Sequence, residues 1–267
     1  MTLKFSKYEG LGNDFVVVDA LGEDAVDAES AVKLCDRHFG VGADGVLVVL
    51  PSTVPGARAR MLIRNADGSR PEMCGNGIRC VALHLARADG AIETRYTVET
   101  DAGSLACDVK RDGEVAQVTV QMGEARLEGE HAADFAGEPR QFMRVSMGNP
   151  HAVSFDTGDD PARIDRFAPE VSRAFPQGSN VEFATTRGVD CFELIVWERG
   201  VGRTLACGTG AAATAVAAAV SGRASFDSPI EVRLPGGPLS LRVSRETLAV
   251  SMRGPARLVF VGEVRTP

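Results

Sequence analysis

The sequence predicts a mixed α/β (α+β) protein of two pseudo-symmetric domains, each a set of short strands wrapped around one central helix. The first ground is an internal duplication. RNADGSRPEMCGNG (64–77) is answered by VWERGVGRTLACGTG (196–210). Each segment follows or contains an apolar strand, Met61-Leu62-Ile63 or Leu194-Ile195-Val196. Each then carries a polar turn and a Cys in C-G-x-G, nine residues after Asn65 or Glu198. The two cysteines, Cys74 and Cys207, lie 133 residues apart, half the chain of 267. The second ground is that other segments match in the same order. GNDFVVVD (12–19) answers GNPHAVSFD (148–156), AGSLACDV (102–109) answers GGPLSLRV (236–243), and VTVQMG (118–123) answers AVSMRG (249–254). The expected halves are 1–117 and 118–254, with the final strand, 255–267, open to joining the first half.

The elements follow in chain order. The matched segments are short and rich in Val, Thr and Phe, with turn residues between them, and so are strands. A helix is expected over Ala28–His38, between DAES and GVGADG. The main helix of the first half runs from about Asn76 to a stop at Gly90. Residues 124–142 (EARLEGEHAADFAGEPRQ) are acidic and contain Gly and Pro. They are taken as connection and edge structure between the halves. The main helix of the second half runs from about Thr209 to Gly222. Its Ala-rich stretch has almost no polar face, which predicts burial at the centre of its half.

Composition removes several function classes. Apolar residues make up 44% and charged residues 24%, enough to build a core. A formal net charge of −7 argues against a nucleic-acid or anionic-membrane surface, and only 6% aromatic residues leave few base-stacking platforms. The start, MTLKFSKYEG, lacks the apolar core of a signal peptide, and AAATAVAAAV (211–220) is too short to span a bilayer. Six cysteines without a C-x-x-C pair suggest neither zinc nor a disulfide scaffold. The expectation is a cytoplasmic protein with reduced thiols and no metal.

Cys74 and Cys207 each stand just before a helix, where Gly neighbours let backbone N–H groups approach a ligand. A helix N-terminus stabilises an anion, and so is expected to lower a thiol's pKa or to hold a carboxylate. Two facing sulfurs, one thiolate and one thiol, can take a proton from one face of a carbon and return one to the other. The result is an inverted stereocentre. A pyridoxal cofactor would acidify the same carbon but needs a Schiff-base Lys. The four lysines, Lys4, Lys7, Lys33 and Lys110, lie away from both Cys motifs. No cofactor is therefore expected.

Read together, GLGNDF (10–15), DRHFGVGADG (36–45), RNADGS (64–69), CGNGIRC (74–80), SMGNPH (146–151), ERG (198–200) and ACGTG (206–210) resemble the diaminopimelate epimerase family, whose members interconvert LL- and meso-diaminopimelate without pyridoxal phosphate. The motifs cover most of the chain in the family's order. The more distant proline racemases carry a His after the first C-G and S-P-C-G-T-G at the second, and this chain has neither. The resemblance implies a small-molecule amino-acid substrate, a site between two similar domains, and residue roles. Cys74 and Cys207 would be the acid–base pair, with His151 and Glu198 tuning the thiol pKa values. Gly75, Asn76, Gly208 and Thr209 would cradle the reacting carboxylate, and Asn13 would help hold that end. Asn65, Asn149, Asn180 and Arg199 would hold the distal carboxylate and amino group, and Glu198 a substrate ammonium. Arg199 suits a carboxylate independently, by its planar fork. Gly45 departs from members that place a substrate-touching Gln there. Phe260 falls where members place an aromatic at a dimer interface, which implies a homodimer.

Other residues carry plainer readings. Cys35, Cys80, Cys107 and Cys191 read as small buried apolar residues. Gly40 and Gly42 serve tight turns, and Asp14 and Asp67 shape Asx-turns. His38 and His84 read as surface or packing residues, and His131 as a loop residue without a role. Competing functions are an epimerase of the same fold acting on another amino acid such as histidine, acyl transfer with Cys207 as nucleophile and His151 as base, and a non-catalytic binding protein. The second head-group set favours diaminopimelate over histidine, and the duplicated cysteines disfavour the other two.

Overall fold

The structure is a computed structural model that describes residues 2–156, 158, 160–175 and 177–265. The chain forms two compact units: residues 1–120 with 254–267, and residues 121–253.

The first unit runs β1 (Thr2–Gly10), β2 (Asn13–Asp19), α1 (Ala28–Cys35), β3 (Gly45–Leu50), β4 (Ala59–Asn65), α2 (Gly75–Ala88), β5 (Glu93–Thr100), β6 (Gly103–Asp112) and the first part of β7 (Val115–Glu124). Neighbouring strands pair in chain order. The β2–β3 and β4–β5 pairs are parallel, which requires crossovers, and α1 and α2 supply them. The helix α2 packs against β1, β2, β3, β5 and β6 and buries Ile78, Val81, Leu83 and Leu85 among them. Helix α1 is shorter than the 28–38 expected. Asp36 ends it, because its carboxylate accepts the backbone N–H groups of His38 (2.7 Å) and Phe39 (2.8 Å) and turns the chain.

The second unit runs β8 (Arg126–Phe135), β9 (Glu138–Ser146), β10 (Pro150–Phe155), α3 (Pro161–Arg173), β11 (Asn180–Gly188), β12 (Cys191–Glu198), β13 (Gly202–Thr204), α4 (Gly208–Val220), β14 (Ile230–Leu234), β15 (Gly237–Val243) and the start of β16 (Ala249–Arg265). Its parallel pairs, β10–β11 and β12–β14, are again joined through helices, α3 and α4. The same strand–helix crossover is thus built twice in each unit. Helix α4 packs against β9, β10, β11, β14 and β15, and every residue from Gly210 to Ala219 is buried. Alanine suits that place: it has the best helix propensity and lets strand side chains reach the helix backbone. The later part of β16 belongs to the first unit, where Thr2–Glu9 pairs antiparallel with Arg257–Arg265.

Two further elements differ from the sequence reading. Residues 124–142 are edge structure, as expected, but not a connection: most of them form the β8–β9 hairpin, with β8 at the sheet edge. Ala136 (φ 61°) and Gly137 (φ 86°) make its two-residue turn, a primed geometry whose twist matches the strands. Phe135 and Phe142 from the hairpin pack with Phe175 and Phe183 in the unit's core. The second is α3, for which the sequence reading assigns no element. Asp160 caps it by accepting from Arg163 N (2.8 Å), Pro161 opens it, and Ile164, Ala168 and Val171 bury one face.

Candidate active site

Helices α2 and α4 begin and end alike. Cys74 is the N-cap of α2, and its Sγ accepts from Gly77 N at 3.3 Å. Cys207 is the N-cap of α4, and its Sγ accepts from Gly210 N at 3.4 Å. At the other ends Gly90 (φ 68°) and Gly222 (φ 73°) take left-handed turns. The next residues donate back into the helix, Ala91 N to Ala86 O and Arg223 N to Ala218 O, each at 2.8 Å. In both units the sulfur sits where a capping hydroxyl usually sits, with the orphan amides of a first turn beside it.

In the first unit the mouth of α2 gathers Asn13, Cys74, Gly75 and Asn76. Asn76 donates Nδ2 to Asn13 Oδ1 at 3.2 Å, and the Cys74 sulfur lies 4.0 Å from that same oxygen. Asn13 donates its own Nδ2 to Asp44 (2.7 Å), whose other oxygen accepts from Arg37 (2.8 Å). Asp14 does not form the Asx-turn read from the sequence. Its carboxylate pairs with Arg37 (2.6 Å) and Lys7 (2.5 Å), and these partners hold it below the ordinary carboxylate range against the opposing effect of burial. Asp67 does take the Ser69 amide (2.9 Å) as an Asx-turn would. Asn65 bonds Ser69 Oγ at 2.9 Å inside that turn. Gly45 is set by strand spacing: a Cβ there would stand 2.8 Å from the Arg64 carbonyl on β4, so the residue fits only without a side chain.

Arg79 is a residue the sequence reading passes over. It is fully buried on α2, one turn past Gly75. It donates to Gly75 O and Pro255 O at 3.0 Å and to Asn76 Oδ1 at 2.9 Å. The guanidinium fork thereby fixes the amide of Asn76 and ties the helix mouth to β16.

In the second unit Asn149, His151, Cys207, Gly208 and Thr209 converge, and Glu182 on β11 joins them. His151 Nε2 lies 3.0 Å from Asn149 Oδ1, and Asn149 Nδ2 donates to Thr209 Oγ1 at 3.4 Å. The Cys207 sulfur lies 3.6 Å from that hydroxyl. Glu182 is fully buried, and its Oε1 lies 2.6 Å from His151 Nδ1. In sequence it is a lone carboxylate between Val181 and Phe183, which needs a partner only where its strand turns it inward. Asn180 accepts the Arg199 amide at 2.9 Å, and the exposed Arg199 side chain donates to Gln177 O. Glu198 accepts from Thr204 Oγ1 at 2.5 Å.

The electrostatics correct one expectation. A helix N-terminus alone would lower the Cys207 thiol pKa, but burial first, then the charges of Glu198 and Glu182, push it well above the ordinary thiol value. A helix terminus contributes up to ~2 kcal/mol, whereas burial of a charge can move a pKa by several units.

The remaining groups fall elsewhere. Cys35, Cys80 and Cys107 are buried, while Cys191 is only half-buried, its sulfur 3.9 Å from a Glu231 oxygen. His84 is held by Tyr8 (3.2 Å) and Asp19 (3.0 Å), a packing role. His131 lies against the Phe175 ring. Among the described residues no helix is long and apolar enough to cross a membrane, and no three His, Cys, Asp or Glu side chains are grouped to hold a metal ion.

The sequence matches the family model for diaminopimelate epimerase over residues 5–128 and 143–259. It is 44% identical to the diaminopimelate epimerase of Synechocystis sp., covering 98% of this chain and 99% of that one. It is also 44% identical to that of Desulforudis audaxviator, with the same coverage. Among solved structures, a hydroxyproline epimerase from Agrobacterium vitis superposes with a TM-score of 0.76 at 16% identity, covering 98% of this chain and 91% of that one. A predicted epimerase from Pseudomonas aeruginosa superposes with a TM-score of 0.75 at 18% identity, covering 99% and 100%. At such identities these structures speak for the fold, whereas the curated relatives, matched from end to end at more than two-fifths identity, speak for the family: this chain belongs to the diaminopimelate epimerases.

Proposed function

We propose that the protein interconverts LL- and meso-diaminopimelate by moving a proton between two cysteines, one from each unit, at a single α-carbon. The observation that carries the reading is that Cys74 and Cys207 cap equivalent helices, each sulfur accepting from the amide three residues on. One thiolate takes the α-proton and the C–H electron pair stays on carbon, delocalised into the adjoining carboxylate. The other thiol protonates the opposite face. The first-turn amides of α2 and α4, with the Gly75–Asn76 and Gly208–Thr209 segments, supply donors for the charge that develops on the carboxylate. Burial first, then the neighbouring Glu198 and Glu182, raise the Cys207 thiol, so Cys207 is read as the acid at rest and Cys74 as the base of the first turnover. Glu198 and His151 stand by the Cys207 side, and Asn65, Asn149, Asn180 and Arg199 are read as the set that holds the distal head group. Each of the two compact units is read as one half of the epimerase.

Incubation with LL-diaminopimelate and no added cofactor tests this reading. The expected product is the meso form. Turnover of histidine but of no diamino acid would move the assignment to another substrate within the fold.

The same reading includes a homodimer. Val259, Phe260 (45% exposed) and Val261 present consecutive uncovered apolar side chains on β16 beside β1. Sedimentation at the mass of a single chain would refute it.

A further inference from the structure

We propose that Glu182 is a positioning residue: by holding the His151 ring as an Nε2–H donor, it decides which way the Asn149 amide faces at the mouth of α4. The inference rests on the proposed function for its kinetic readout but not for its structural one. Four observations carry it. Glu182 is wholly buried on β11, and its two oxygens are both used, Oε1 with His151 Nδ1 (2.6 Å) and Oε2 accepting from Ala152 N (3.1 Å). Strand register sets this pairing: Val153 lies opposite Glu182 in the parallel β10–β11 ladder, so His151 and Glu182 come from adjacent strands. The far side of the ring meets Asn149 Oδ1 at 3.0 Å, and only a protonated Nε2 can donate to that oxygen. The amide so oriented turns its Nδ2 to Thr209 Oγ1 (3.4 Å), itself 3.6 Å from the Cys207 sulfur.

The first turn of α4 lies close against this carboxyl group. A Cβ at position 210 would stand 3.0 Å from Glu182 Oε1, so Gly210 is what lets the first turn of α4 lie against it. The groups that face Glu182 are His151 and the Ala152 amide from β10, Glu198 from β12, and Cys207 with the first turn of α4. Among the described residues, His151 Nδ1 is the group at hydrogen-bond distance from Oε1. Buried beside Glu198, Glu182 keeps a proton on Oε1 and donates it to Nδ1, so the one proton of the neutral ring belongs on Nε2. Without Glu182, the ring is free to place its proton on Nδ1. An unprotonated Nε2 would then draw the Asn149 NH₂ group toward it and away from Thr209.

Two substitutions separate this from a purely structural role. In Glu182→Gln the amide oxygen can take the Ala152 N–H while the NH₂ donates to Nδ1. The ring then keeps its Nε2 proton, and the KM for diaminopimelate stays within about threefold of wild type. Glu182→Leu fills similar space and makes neither bond. KM is expected to rise about tenfold, the effect of one lost hydrogen bond, with kcat changed less. Because the effect runs through Asn149, the double variant Glu182→Leu/Asn149→Ala should bind no worse than Asn149→Ala alone. Effects that multiply would overturn the proposal. Nitrogen-15 NMR of the His151 ring in the substrate-free protein supplies the second readout. Wild type and Glu182→Gln should both carry the proton on Nε2. An Nε2 without its proton in the wild type would overturn the proposal even if Glu182→Leu fails to fold. If no diamino acid turns over at all, the proposed function falls while the ring measurement still decides this one.

Discussion

Burial and backbone hydrogen bonding act in opposite directions on the Cys207 sulfur, and burial prevails. The same desolvation raises the buried thiols Cys35, to about 11, and Cys107, to about 12, and raises Cys80 further. It also raises Tyr8 to about 12. Each of these groups keeps its proton to higher pH in the folded chain than in the unfolded one. Their contribution to stability is whole below the ordinary thiol range, near pH 8.5, and declines as the pH climbs through and above it. The urea midpoint should therefore be lower at pH 10 than at pH 7.5. An equal or higher midpoint at pH 10 would mean that the thiols are not desolvated as the structure has them. What the sequence reveals at this scale depends on repetition. Cys74 and Cys207 stand out because their surroundings recur 133 residues apart. Glu182 and Arg79 do not, since a lone charged residue in an apolar run looks the same whether it is buried and paired or turned to solvent. Asp14 is misread for a related reason: its partners Lys7 and Arg37 are distant in sequence.

At the scale of elements, the proposed chemistry and the helix cap share one atom in each unit. That coupling can be split. In Cys74→Ser and Cys207→Ser the hydroxyl is a good N-cap, so helix content should be kept and stability should change by no more than about 1 kcal/mol. A serine hydroxyl cannot serve as a thiolate does near neutral pH, and epimerisation should fall by about 10²–10⁴-fold in either variant. Circular dichroism and the kinetic assay together check both halves of the statement. Retained activity in both variants would remove the cysteines from the mechanism. The helices that carry them are legible in the sequence because their stops are glycines and their starts are duplicated. Helix α3 is not read, although the duplication held its trace: the 133-residue offset carries Ala28, the first residue of α1, onto Pro161, the first of α3. The β8–β9 hairpin is missed because β8 lies at an edge. Its exposed residues give an acidic composition, like that of a loop, where one face of a covered strand would give alternation.

Across the whole chain, one crossover unit is used four times, twice in each compact unit, and the second use in each places a cysteine at a helix mouth. The sequence shows the copying but not the exchange of the last strand, because β16 carries a continuous strand pattern through the point where it passes from one unit to the other. In the proposed function the two copies serve as opposite bases in one reaction, and isotope transfer reads that most directly. LL-diaminopimelate is converted in D₂O and analysed by mass spectrometry at low conversion. The donor thiol has already exchanged with solvent, and the proton removed leaves on the other sulfur. The meso product should therefore carry one deuterium while the unreacted LL form carries none. Meso product that retains its original protium, or LL form that gains deuterium as fast as meso appears, would mean that a single group handles both faces.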